Sequence, residues 1–149
     1  MEQIAGICGL YGVAPEYLEM EVTEKVHEEG LDLKELSAKL RQAGFKVAID
    51  DFGTEYANLS LLSEVEFDVL KLDKSMCDHI VHNPRTRAIV ESISEVCRKL
   101  EIQMVAEGIE TEEQFSIICA CGVELVQGFY FSRPIPLAEY EKLYLRKND

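Results

Sequence analysis

Acidic and amide-bearing residues recur in this chain wherever a strand-like stretch gives out. Glu21 and Glu24, Asp50 and Asp51, Glu107 and Glu110 supply six carboxylates, joined by Lys71, Asp73 and Gln127. Carboxylate oxygens suit hard divalent cations such as Mg²⁺ or Mn²⁺, whereas zinc prefers His and Cys. The adjacent pair Asp50-Asp51 is informative. In a continuing strand their side chains would diverge to opposite faces. At a strand end, with Gly53 permitting a turn, both reach one cavity and could serve two neighbouring ions. Two such ions can activate a water and stabilise the leaving oxygen of a phosphodiester. Lys71 alternates with Leu70 and Leu72, so it projects away from apolar neighbours, suited to hold a water or a phosphoryl oxygen. Acidic residues at strand ends also cap helices, and Asp73 and Glu110 are the two most open to that reading.

The elements that must position these residues alternate between two periods. Residues 3–11 read as a helix closed by Gly12 and the Pro15 turn. The run 18–23 alternates apolar and polar as a half-buried strand does. A helix follows over 32–43, with Leu33, Leu36 and Leu40 on one face and Gly44 as its stop. Strands are expected at 45–50, 67–73, 102–106 and 123–126, with a loop and short helix after Thr54. Asn83-Pro84 opens a helix striped by Ile89, Ile93, Val96 and Leu100. Thr111 to Gln114 has the form of a capping box for a helix stopping at Gly122. A last helix follows Pro136 to about Leu145.

Five strand–helix repeats are the grammar of a parallel α/β fold, with an open doubly wound sheet and a (β/α) barrel competing. Every strand ends in polar residues, and a barrel gathers all its strand ends on one face. An open sheet gathers only those beside its switch point, and no glycine-rich nucleotide fingerprint favours that alternative. The reading is a partial (β/α) TIM-type barrel of about five parallel strands, because five cannot close a barrel of eight.

The 149 residues form one domain or one piece of a domain, and 47% apolar content is ordinary for a globular chain. A net charge of −13 argues against nucleic-acid polymers and anionic membranes, which draw on clustered Lys and Arg. Met1-Glu2-Gln3 is not a basic start, and no long apolar run follows. The segment is therefore expected to be cytoplasmic, without membrane insertion. Cys8, Cys77, Cys97, Cys119 and Cys121 contain no CxxC pair and read as buried free thiols.

Five ordered motifs resemble one family. Glu21-Val22-Thr23-Glu24, IDDFGT at 49–54, LKLDKS at 70–75, VAEGIET at 105–111 and QGFYFSRPIP at 127–136 are similar to the EAL domain family. The resemblance implies a (β/α)₈-type barrel that binds cyclic di-GMP and hydrolyses it to linear pGpG with two Mg²⁺ or Mn²⁺ ions. It implies Glu21 and Asp50 as ligands of one ion, Asp51 of the other, and Glu107 as a further ligand. Lys71 would contact the nucleophilic water, and Glu110 and Gln127 would position water. Glu24 would steady the loop after the aspartates.

Two departures qualify the resemblance. The Glu-Ala-Leu motif and the asparagine one strand later are absent. Both belong to roughly the first three strands of the family domain, before about Gly6. Residues 1–149 are thus expected to be the C-terminal part of such a domain, inactive alone, with a non-catalytic dimerisation or protein-binding module as the alternative. Glu55 also stands where the family usually has glycine, adding negative charge beside the site. An unclosed barrel would leave apolar strand residues uncovered whichever parity faces inward, so a homo-oligomer is expected.

Overall fold

The structure is a computed structural model that describes residues 2–23, 31–54 and 59–145. Along the chain come α1 (Glu2–Tyr11), a 3₁₀ turn at Pro15–Tyr17, β1 (Glu19–Thr23), α2 (Leu33–Gln42), β2 (Lys46–Phe52) and α3 (Leu61–Glu64). Then follow β3 (Val69–Leu72), α4 (Lys74–His79), α5 (Pro84–Lys99), β4 (Gln103–Ala106), α6 (Glu112–Ala120), β5 (Leu125–Val126) and α7 (Leu137–Leu143).

The helix boundaries follow the capping chemistry in the sequence. Asp32 caps α2 by accepting from the amides of Lys34 at 2.8 Å and Glu35 at 3.3 Å, and Asn83 caps α5 with Pro84 in its first turn. Thr111 and Gln114 form the expected capping box on α6. The short helix α4 was not anticipated; Asp73 caps it, accepting from the Ser75 amide at 2.9 Å. That is the structural role the sequence left open for Asp73.

All five strands are parallel and stand in chain order, β1-β2-β3-β4-β5. No strand order reverses, so there is no switch point, and the winding is that of a barrel segment. Strand registers sort the side chains onto two faces. Val22, Val47, Ile49, Leu70, Leu72, Met104 and Ala106 share one buried cluster with residues of α2, α5 and α6. The opposite face carries Glu21, Ala48, Asp50, Val69, Lys71, Val105 and Leu125. Most of the bulky aliphatics go under the helices, while the barrel-interior face mixes charged Glu21, Asp50 and Lys71 with apolar Ala48, Val69, Val105 and Leu125.

The apolar stripe of α5 is also differently phased. Thr86, Val90, Ile93, Ser94 and Cys97 are its buried residues, while Ile89, Val96 and Leu100 are exposed. Two small hydroxyls and a thiol let this helix approach the sheet, and the bulkier residues face outward. Of the cysteines, Cys119 is exposed and the other four are buried. Burial pushes the Cys77 thiol up to about 12 and that of Cys97 to about 11, as expected for inert packing thiols.

Candidate active site at the strand ends

Lys71 is the residue around which the site is built. It lies on fully buried β3, and its side chain is only 7% exposed. Burying an ammonium is costly unless it is paired. Three carboxylates supply the pairing. Nζ lies 2.6 Å from Glu21 Oε1, 3.1 Å from Asp50 Oδ1 and 2.8 Å from Glu107 Oε1. These partners come from β1, β2 and the residue after β4, so the sheet itself assembles the cluster. Burial alone would lower the lysine's proton affinity. Hydrogen bonds to Glu107, Glu21 and Asp50 outweigh it and hold the pKa above the ordinary lysine value.

The aspartate pair owes its geometry to a β-bulge. Ile49 faces Leu70 and Phe52 faces Leu72, so three steps along β2 match two along β3. The extra residue returns Phe52 to the core side, where it is 1% exposed, and leaves Asp50 on the interior face. Asp51 absorbs the irregularity at φ 59°, a left-handed conformation uncommon outside glycine. Its amide donates to Asp50 Oδ1 at 3.0 Å, and its carboxylate is exposed, outside the Lys71 cluster.

Glu107 is set by an extension of the ladder, its amide donating to Leu72 O at 3.0 Å. The chain then turns at Gly108, φ 67°, where a Cβ would collide with the stem of Lys74. Buried Ile109 donates from its amide to Gln127 O at 3.1 Å and accepts from the Tyr130 amide at 2.9 Å. Gly128 lies so close to the Ile109 backbone that no Cβ fits between them. Gln127 thus acts here through its backbone, with its side chain exposed.

Glu110 does not join the Lys71 cluster. Its carboxylate lies 3.1 Å from Lys74 Nζ, and Lys74 is also 3.0 Å from Asp78 Oδ1. Lys74 and Asp78 escaped the sequence reading; their i, i+4 spacing was the available signal once a helix after Asp73 was recognised. Glu24 and Glu55 lie outside the described residues.

Among the described residues, no group of three or more His, Cys, Asp or Glu is drawn into a cation-holding cluster. The ammonium of Lys71 occupies the centre of the carboxylates. Their chemistry nevertheless fits a hard cation: Glu21, Asp50, Asp51 and Glu107 offer only oxygen, and Glu21 is 52% exposed.

The family model for the EAL domain matches residues 1–134. The chain belongs to the EAL domain family. This EAL chain is 36% identical over 138 residues to the signaling protein YkoW of Bacillus subtilis, covering 92% of the chain. It is 40% identical over 132 residues to the cyclic di-GMP phosphodiesterase NbdA of Pseudomonas aeruginosa, covering 88%. It spans 17% of the length of each of these relatives. Among solved structures, the EAL domain of Mycobacterium smegmatis DcpA superposes with a TM-score of 0.85 at 35% identity, covering 97% of this chain and 65% of that one. Klebsiella pneumoniae BlrP1 in its calcium and cyclic-di-GMP complex gives a TM-score of 0.83 at 37% identity, covering 89% of this chain and 34% of that one. BlrP1 is also known with manganese and cyclic di-GMP.

Proposed function

We propose that this chain carries most of the site of a metal-dependent phosphodiesterase that opens one phosphodiester of cyclic di-GMP to give linear pGpG. The observation that carries the reading is Lys71, buried and held by carboxylates on β1, on β2 and just after β4. Membership of the EAL domain family and the activity named for NbdA support the substrate.

Glu21, Asp50, Asp51 and Glu107 would hold the Mg²⁺ or Mn²⁺ ions. Such ions supply a water of lowered pKa and stabilisation of the leaving oxygen. Lys71 has a different task. An ammonium has three donors and no acceptor, so it offers hydrogen bonds and charge. It serves as a fixed donor and positive charge, aimed at the attacking water or a phosphoryl oxygen. That charge also opposes the repulsion between a chain of net charge −13 and an anionic substrate. Glu110 and Gln127 position water at the rim.

The five strands form part of a barrel, and we propose that further strands supply the remaining wall and ligands. Coverage of 65% of the DcpA EAL domain supports this. The 149 residues alone are therefore expected to yield little pGpG with Mn²⁺, and the same chain joined to the three preceding barrel strands to yield it readily. Robust turnover by the 149 residues alone would refute the incomplete-site reading.

One observation favours a second reading, a non-catalytic module that associates with itself. Leu59, Leu62, Ile89, Ile93 and Val96 line an apolar groove on the outer side of α5. We propose a homo-oligomer closed over this groove. No helix among the described residues is long and apolar enough to cross a membrane. The five free cysteines fit a reducing compartment, and we place the reaction in the cytoplasm.

A further inference from the structure

Two lysines three residues apart each take one of two glutamates three residues apart. Lys71 holds Glu107 and Lys74 holds Glu110, with the Gly108 turn between the glutamates. The second pair belongs to a closed ring. Gln114, 7% exposed on α6, accepts from the Glu110 amide at 2.8 Å and the Thr111 amide at 3.0 Å through Oε1. Its Nε2 donates to Asp78 Oδ1 at 3.1 Å. Asp78 accepts from Lys74, and Lys74 returns to the Glu110 carboxylate. Backbone and side chain of Glu110 are thus fixed from both ends by the same buried amide.

Lys74 touches both the Glu110 carboxylate and the Gly108 turn. Its stem packs where a Cβ on Gly108 would stand, and its ammonium bridges Asp78 and Glu110. We infer that Lys74 is a positioning residue that fixes the Gly108 turn and aims the Glu110 carboxylate at the site beside Lys71. The consequence for catalysis rests on the phosphodiesterase reading; the fixing of the turn does not. An aimed acceptor matters because a small misplacement of a water-orienting group slows a reaction without weakening substrate binding.

The test compares Lys74→Met, which keeps the stem beside Gly108, with Lys74→Arg, which keeps the charge. Amide hydrogen exchange on the 149-residue chain reads the turn. The Glu110 and Thr111 amides should exchange about tenfold faster in Lys74→Met, with β3 and β4 amides unchanged and Lys74→Arg close to wild type. In the chain with its barrel completed, Lys74→Met should lower kcat for cyclic di-GMP about tenfold at unchanged KM, with recovery in Lys74→Arg. Unchanged exchange at Glu110 overturns the proposal, and so does faster exchange with unaltered kcat. If the completed wild type lacks turnover, the phosphodiesterase reading falls, and exchange alone decides whether Lys74 fixes the turn.

Discussion

Asp51 joins a proposed metal-ligand role to an uncommon backbone conformation. A non-glycine residue at φ 59° is strained. Replacing it by glycine should relieve the conformation and raise the unfolding free energy by up to about 1 kcal/mol. The same change removes a proposed ligand, so Mn²⁺ affinity should fall. Urea unfolding and a Mn²⁺ titration of Asp51→Gly check the two halves; a variant both less stable and equally tight would contradict the account. The sequence exposed the aspartate pair because adjacent acids before Phe-Gly are conspicuous. It could not reveal the bulge that separates them, since a bulge depends on what β3 offers opposite. Nor could it show that Lys71 gathers Glu21, Asp50 and Glu107 while Asp51 stays outside, because those partners lie far apart in the chain.

Among the elements, those with local causes were readable in advance. Caps at Asp32, Asn83 and Thr111 depend on residues two or three positions away, and each helix begins where its cap predicts. The capping box of α6 is expected to contribute about 1 kcal/mol, so Thr111→Ala should lower the urea midpoint accordingly at unchanged m-value. An unchanged midpoint would mean that the Gln114 contacts hold α6 without the threonine. The helix α4 was missed because six residues carry too little periodicity to stand out from the loop after LKLD. The face of α5 was missed for another reason. Two apolar stripes compete on that helix, and the sheet receives the one built from Val90, Ile93 and Cys97, with small hydroxyls at Thr86 and Ser94. The stripe of Ile89, Val96 and Leu100 is left exposed.

For the whole molecule, that exposed stripe is the surface on which we propose association. The sequence suggested an apolar barrel interior awaiting cover, and that face mixes Glu21, Asp50 and Lys71 with Ala48, Val69, Val105 and Leu125. Leu59, Leu62, Ile89 and Val96 instead expose apolar surface on the outer side. Light scattering at micromolar concentration should therefore show a dimer or larger species, reduced to monomer by Ile89→Asp. A wild-type monomer under those conditions would contradict the proposal. Chain-order winding of five strands followed from the repeated strand–helix pattern, whereas the cover for each face depended on contacts distant in the chain.

We propose that the carboxylates gathered by Lys71 form a phosphodiesterase site, and Lys71→Met in the chain with its barrel completed is the variant that tests this. Mn²⁺-dependent conversion of cyclic di-GMP to pGpG is measured against wild type, with far-UV circular dichroism confirming the fold. Turnover is expected in the wild type and a loss of about a hundredfold or more in the variant. A folded Lys71→Met protein that hydrolyses cyclic di-GMP at the wild-type rate would contradict it.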